Sequence, residues 1–374
     1  MEINQYLAEL ESLVNIDSGP GCLEGLTEMA EFFRKRFADM GWLTEWHDLA
    51  PETGVCLVCK NREAEHYDLM LIGHLDTVFP LGTAKERPFR IEGDKAYGPG
   101  VFDMKQGSLL MYHLLKELPK EVNDKLNIVA VFNPDEEIGS EYSKEVYQKY
   151  AEISDYAYIY EGASNDGTRC NERKGRSYFT VNFRGKAGHC GYVFTSGARS
   201  AVSEMARWIV ALDSLQSEER NVTVNVGVAQ GGIKNNVVPE EASIEVDVRF
   251  PVPEELARLD AMLETLMNEA RERGIEASIT ERHIRPALVL TESGKEYVRH
   301  IEELLKSRGI AYKHRLRGGV SDANIIAQYG AICIDALGPA GDDDHSADEF
   351  LHIDSVLSSY ELSMTLIKDL ADRK

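Results

Sequence analysis

Spacing of apolar and polar positions divides the chain into alternating helices and strands. Apolar residues recur at helical intervals over 3–15 and again over 24–40. Continuous apolar runs bounded by polar turns follow near 54–59, in "YDLMLIGHLD" (67–76) and in "LNIVAVF" (126–132), and these read as buried strands. Between the last two, "MKQGSLLMYHLLKELP" (104–119) carries a helical stripe. Such alternation predicts an α/β layer with a largely parallel sheet.

The pattern changes near residue 176. "RSYFTVNFRG" predicts a strand and "ARSAVSEMARWIVALDSL" a helix. "NVTVNVGVAQ" and "EASIEVDVRF" alternate as strands, "PEELARLDAMLETLMNEARERG" is a long helix, and "EASITERH" a last strand. That β-α-β-β-α-β order is the ferredoxin-like plan. The α/β pattern returns from about 286, with helices near 293–307 and 354–371 and a strand at "AICIDAL". The expected organisation is an α/β domain of 1–175 and 286–374 with a small α+β domain, 176–285, inserted in it.

At 374 residues the chain is long for one core and suits two domains. Its formal net charge of −22 argues against nucleic-acid and anionic-membrane partners, which call for basic patches. It holds no run of eighteen apolar residues to span a bilayer. "MEINQYLAELESLVNI" lacks the basic start and apolar middle of a signal peptide, so a cytoplasmic protein is expected. Of six scattered cysteines, Cys56 and Cys59 form a CxxC. On a strand those two point to opposite faces, and with no second CxxC to complete a tetrahedral site they read as core or surface thiols.

The candidate chemistry lies in acids and histidines near strand ends. His74 closes an apolar strand, and Asp76, two residues on, is positioned to accept its other N–H and fix the tautomer. Asp103 sits between a glycine-rich turn and a helix, where an aspartate alone is usually an N-cap. "NPDEEIGS" crowds Asp135, Glu136 and Glu137 after a strand. Glu161 ends the run "YAYIY", and His345 sits in the loop "ALGPAGDDDHSADEF". Taken singly, each has an ordinary alternative as a cap, a salt bridge or a solvated loop residue. Taken together, they gather where open α/β sheets form ligand sites. Two imidazoles with several carboxylates suit zinc or a similar divalent ion, and the surplus of carboxylates fits two ions sharing one bridge.

The motifs "GHLDTV", "GPGVFDMKQG", "NPDEEIGS", "YEGA", "GKAGHCG", "NNVVPEEASIEVDVR" and "LGPAGDDDHSADEF" occur in one order between about 74 and 350. In this the chain resembles the dinuclear zinc metallopeptidase family of glutamate carboxypeptidases, aminoacylases and succinyl-diaminopimelate desuccinylases, with the bacterial glutamate carboxypeptidase branch most similar. The resemblance implies a catalytic α/β domain with an inserted ferredoxin-like lid that forms a homodimer. It implies two Zn²⁺ per chain, with Co²⁺ or Mn²⁺ as alternatives. His74, Asp103 and Glu161 resemble the ligands of one ion; Asp103, Glu137 and His345 resemble those of the other, with Asp103 as the bridge. Glu136 matches the general base and Asp76 the aspartate that orients His74. His189 resembles the histidine that steadies the oxyanion, often across the dimer. Asn236, Arg285, Gly318 and Gly319 resemble substrate-contacting positions, Arg285 gripping a free carboxylate with its planar fork.

The activity implied is hydrolysis of an amide bond beside a free carboxylate in a small peptide or N-acyl amino acid. An N-acyl amino acid deacylase, a dipeptidase, or an inactive metal-binding dimer are the alternatives. One departure stands out: Asp342, Asp343 and Asp344 directly precede His345. They either face the site and repel anionic side chains or lie on a solvated loop.

Overall fold

The strand Ile128–Asn133, sequence IVAVFN, is buried at every residue. Its neighbour Tyr67–His74 is buried at all but one. Strands covered on both faces read as continuous apolar runs because helices pack against each face. A computed structural model describes residues 1–49 and 53–374. Its first compact unit comprises Met1–Asn171, Leu290–Leu316 and Ser321–Lys374. That unit holds a six-stranded sheet in the order Leu43–Asp48, Val55–Lys60, Ile128–Asn133, Tyr67–His74, Ser154–Ile159, Ile332–Ile334. Pairings within the last four strands are parallel, whereas Val55–Lys60 pairs antiparallel on both sides. The sheet is therefore mixed and mostly parallel.

Helices cover it for the reason their sequences suggest. Leu23–Asp39 buries Leu26, Met29, Ala30, Phe33 and Phe37, an i, i+3, i+4 stripe. Phe33 stacks on Phe132 with ring centroids 4.5 Å apart. Lys105–Lys116 is buried at every residue but Lys116, consistent with a helix enclosed by the fold. Cys56 and Cys59 are free and fully buried, as structural thiols on a doubly covered strand.

A small four-stranded sheet completes this unit, in the order Gly341–Asp342, Phe350–His352, Lys95–Tyr97, Arg90–Glu92. It was not expected from sequence, because strands of two or three residues show no period. It joins the segment before Asp103 to the segment around His345.

The second unit comprises Glu172–Val289 and Arg317–Val320. Its antiparallel sheet runs Thr223–Gly231, Glu241–Phe250, Gly175–Arg184, Glu276–Arg285, the strand order of the ferredoxin-like plan. One face packs on the helices Ala201–Asp213 and Pro253–Glu272 through Phe179, Val181, Ile244, Val246, Trp208 and Leu263. The longer helix starts with Pro253 in its first turn followed by Glu254 and Glu255, where proline lacks no needed donor and acids meet the positive end of the dipole. The expectation from sequence puts Gly318 and Gly319 in the catalytic domain, but the structure groups them with this second unit. Arg173 explains the grouping, donating from Nη1 to the carbonyls of Gly319 at 3.2 Å and Val320 at 3.5 Å.

Candidate metal centre

Three parallel strands lie side by side in the first unit, so their C-terminal ends share one edge. His74 is the last residue of the central strand, Glu136 and Glu137 follow the second, and Glu161 follows the third. Asp103 enters from the loop before the helix Lys105–Lys116, and His345 from the loop after Gly341–Asp342.

Asp103 occupies the centre. Its Oδ1 lies 3.0 Å from His74 Nε2, and its Oδ2 lies 3.3 Å from His345 Nε2. Each oxygen thus addresses a different imidazole. Glu161 Oε1 is 3.8 Å from His74 Nε2 on one side, and Glu137 Oε2 is 3.3 Å from His345 Nε2 on the other. His74, Asp103 and Glu137 each offer a donor atom within 4.8 Å of the others, as do Asp103, Asp344 and His345. Asp103 is not the helix N-cap: Met104 takes that position and its side chain makes no capping bond.

The strand-end acids are held apart by their own backbone. Asp76 Oδ1 accepts from the amide of Glu136 at 3.2 Å, and Oδ2 from the amide of Glu137 at 2.8 Å. The carbonyl of Asp76 is 2.9 Å from His74 Nδ1, and its Oδ1 is 3.2 Å away. One aspartate therefore fixes both the imidazole and the two glutamates, meeting His74 Nδ1 with its backbone carbonyl as well as its carboxylate. The amide of Gly139 returns to the carbonyl of Glu136 at 2.9 Å, with Gly139 at φ 107°, a conformation that favours glycine. Asp135, given no firm role by sequence, is buried and accepts from the amide of Tyr142 at 2.9 Å, from the amide of Ser143 at 3.2 Å and from the Ser143 hydroxyl. It caps the turn, and burial pushes its pKa up to about 6.

The charges balance within the cluster. Burial disfavours the charged form of His74, yet its bond to Asp103, with Asp76 and Glu161 behind it, lifts its pKa well above the usual imidazole range. Bonds to Asp103 and Glu137 raise His345 to about 11. Burial acts to raise Asp103, but the two histidines hold it below the usual carboxylate range. Burial, then the charge of Asp103, raises Glu137 to about 7 and lifts Glu161 well up. Strongly shifted groups gathered in one place mark a candidate functional site.

One atom tests whether these residues fit a metal. Glu137 Oε1 is buried and has no hydrogen-bond partner among the described residues. A buried acceptor without a donor costs about 1–3 kcal/mol, which a cation against it would offset. Carboxylates and imidazoles of this kind suit zinc and its neighbours. The residues fit.

Two residues beside the site were given no ligand or catalytic role by the sequence. Glu349, 2% exposed, accepts from the amides of Gly100 at 3.0 Å, Phe102 at 2.8 Å and Asp103 at 2.9 Å. It is the glutamate of "HSADEF", so the motif was visible, but a bond to backbone amides far along the chain leaves no local pattern. Asp344 is the second. Of the three aspartates before His345, it alone belongs to a cluster with metal-donor spacing.

The other predicted site residues belong to the second unit. His189 is exposed, and its Nδ1 accepts from the amide of Gly191 at 3.1 Å. Gly188–His189 pairs with Val237–Val238, and the amide of Cys190 donates to the carbonyl of Asn236 at 3.1 Å, so His189 and Asn236 are neighbours. Arg285 ends its strand opposite Arg176 and is 9% exposed.

Residues 70–369 match the sequence model of peptidase family M20/M25/M40. The chain belongs to this family. It is 31% identical to carboxypeptidase G2 of Pseudomonas sp. (strain RS-16) over 374 residues, covering 98% of this chain and 89% of that one. Its fold matches the crystal structure of aminopeptidase PepT from Bacillus cereus with a TM-score of 0.80 at 22% identity, over 99% of each chain. It also matches the YxeP protein of Bacillus subtilis, described as a dinuclear metal-binding peptidase from the M20 family, with a TM-score of 0.71 at 13% identity, over 99% of this chain and 98% of that one. As a member of the M20 family, the protein is a metal-dependent hydrolase of the metallopeptidase class. No helix among the described residues is long and apolar enough to cross a membrane.

Proposed function

We propose that the protein cleaves an amide bond next to a free carboxylate in a small peptide or N-acyl amino acid, with Glu136 as general base. The observation that carries this reading is the centre itself: Asp103 between His74 and His345 at 3.0 and 3.3 Å, beside an unpartnered oxygen of Glu137. In this reading His74, Asp103 and Glu161 hold one divalent ion, and Asp103, Glu137 and His345 hold a second. Zn²⁺ is the first choice, with Co²⁺ or Mn²⁺ as alternatives. Bound there, the ions would polarise the amide carbonyl and lower the pKa of a water toward about 7.

The chain's own groups do the rest. Glu136, half-buried and pinned by its amide to Asp76, takes the proton of the attacking water and returns it to the departing amine. Asp76 keeps His74 oriented. His189 steadies the developing oxyanion, acting in its own or a partner chain's site. Arg285 grips the free carboxylate, Asn236 contacts the substrate, and the backbone of Gly318 and Gly319 lines its path. The second unit serves as lid and homodimer interface. Carboxypeptidase G2 as a relative over the full chain supports a carboxypeptidase-like preference. No disulfide joins cysteines among the described residues, which suits a cytoplasmic protein.

The test is amine release from a panel of dipeptides and N-acyl amino acids, each paired with its carboxyl-terminal amide, with and without added metal. Metal-dependent turnover of the free acids and little turnover of the amides is expected. Equal turnover of both would turn the reading to an acyl-directed deacylase, and no turnover of any pair to an inactive metal-binding protein.

A further inference from the structure

Three aspartates precede His345, and the mechanism above uses none of them. All three are exposed, and the carboxylate of Asp342 accepts from the amide of Asp343 at 3.0 Å. Asp344 differs. One of its carboxylate oxygens lies within 4.8 Å of donor atoms of both Asp103 and His345. A turn brings it there. The amide of Ser346 donates to the carbonyl of Asp343 at 3.2 Å, and Arg87 donates to the carbonyl of Ser346 at 3.2 Å. Asp343 and His345 take left-handed φ values of 61° and 62°, so the adjacent side chains of Asp344 and His345 converge on Asp103 rather than diverge.

A separate observation points to a ligand at this place. Glu137 reaches the same imidazole, with Oε2 3.3 Å from His345 Nε2, and its side chain is only 6% exposed. Its other oxygen, Oε1, is buried with no partner among the described residues. The site therefore holds an acceptor that no described residue satisfies.

We propose that Asp344 is an additional oxygen ligand to the ion held at the His345 side, and that it biases this position toward Mn²⁺ over Zn²⁺. The proposal rests on the two-ion reading above. With Asp344 the donors at this side are one imidazole and three carboxylates, against one imidazole and two carboxylates at the His74 side. Zn²⁺ is satisfied by about four donors and takes nitrogen readily. Mn²⁺ prefers octahedral coordination dominated by oxygen, so an added carboxylate favours it. Both ions carry the same charge. A carboxylate acting only through its field would strengthen both alike, whereas a ligating one separates them.

The experiment uses chelator-stripped full-length protein. Mn²⁺ binding is followed by electron paramagnetic resonance and Zn²⁺ binding by competition with a chromophoric chelator, in wild type, Asp344→Asn and Asp342→Asn. Melting curves confirm folding, which the exposed positions should leave unchanged. Asp344→Asn is expected to weaken one Mn²⁺ site by about tenfold or more while Zn²⁺ affinity moves less than about threefold, and Asp342→Asn to leave both metals alone. Equal weakening of both metals, or equal effects of the two substitutions, would overturn the proposal in favour of a surface-charge effect. If wild type binds fewer than two ions of either metal, the two-ion reading itself fails and Asp344 falls with it.

Discussion

Glu349 Oε1 lies 2.9 Å from the backbone nitrogen of Asp103, and with Oε2 the same carboxylate also holds the amides of Phe102 and Gly100. The acid is four residues past His345, so the segment carrying one metal-site histidine also fixes the loop carrying the central aspartate. Glu349→Ala leaves three amides to find other acceptors in a buried site. A loss of about 2–4 kcal/mol of stability is expected by urea denaturation. Affinity for both ions should fall together, by about 10–100-fold, if Asp103 is shared between them as proposed. Glu349→Gln keeps one carbonyl acceptor and should lie between. Loss of affinity for one ion only would show that Glu349 does not act through Asp103.

Arg285 carries the specificity in this account. Arg285→Ala should cost about 2–5 kcal/mol of transition-state stabilisation for substrates with a free carboxylate, as truncating a buried charge pair does. Arg285→Lys should rescue poorly, since an ammonium lacks the planar fork. The alanine variant should barely distinguish free acids from their amides when kcat/KM is compared. Retention of the full preference would remove Arg285 from substrate recognition.

A pH dependence follows from the sheet edge. Glu45 is bound to Lys60, to the Tyr150 hydroxyl at 2.6 Å and to His47 at 3.1 Å. Burial acts to raise its pKa, but the bonds from Lys60 and Tyr150 outweigh that and bring it to about 2. Its folded pKa lies below the unfolded value of about 4.3, so its stabilisation is present above that value and is lost as pH falls toward about 2. With the side chain 31% exposed, solvent screening limits the contribution to about 1–2 kcal/mol. In chelated protein, wild type should exceed Glu45→Gln by that amount at pH 7, and the gap should close on acidification. A gap independent of pH would exclude the ion pair as its source.

What the sequence shows and what it hides follow one rule. Buried strands such as Ile128–Asn133 and striped helices such as Leu23–Asp39 announce themselves, because burial on one or two faces leaves a period. The strand-end acids were visible because polar residues crowd where an apolar run stops. Leu43–Asp48 was missed: it is an edge strand with no residue fully buried, so its alternation is faint. Arg90–Glu92 and Phe350–His352 are too short to show one. Asp76 was expected to orient His74 through its carboxylate, which lies 3.2 Å from His74 Nδ1, but the sequence did not show that the same carboxylate also holds the amides of Glu136 and Glu137. The roles of Asp135, Glu349 and Arg173 are bonds to distant or turn amides and carbonyls, and no local spacing encodes them.

The central claim is that two adjacent glutamates divide the work, Glu137 holding metal and Glu136 moving protons. Both amides hang on the one carboxylate of Asp76, and Glu137 Oε2 lies 3.3 Å from His345 Nε2. The most direct measurement is the metal content of purified, zinc-loaded and desalted Glu136→Ala, taken with its rate of amide hydrolysis. Two ions per chain with a rate lowered by about 10²- to 10⁴-fold is the expected result. Loss of metal from Glu136→Ala, or an undiminished rate, would contradict it.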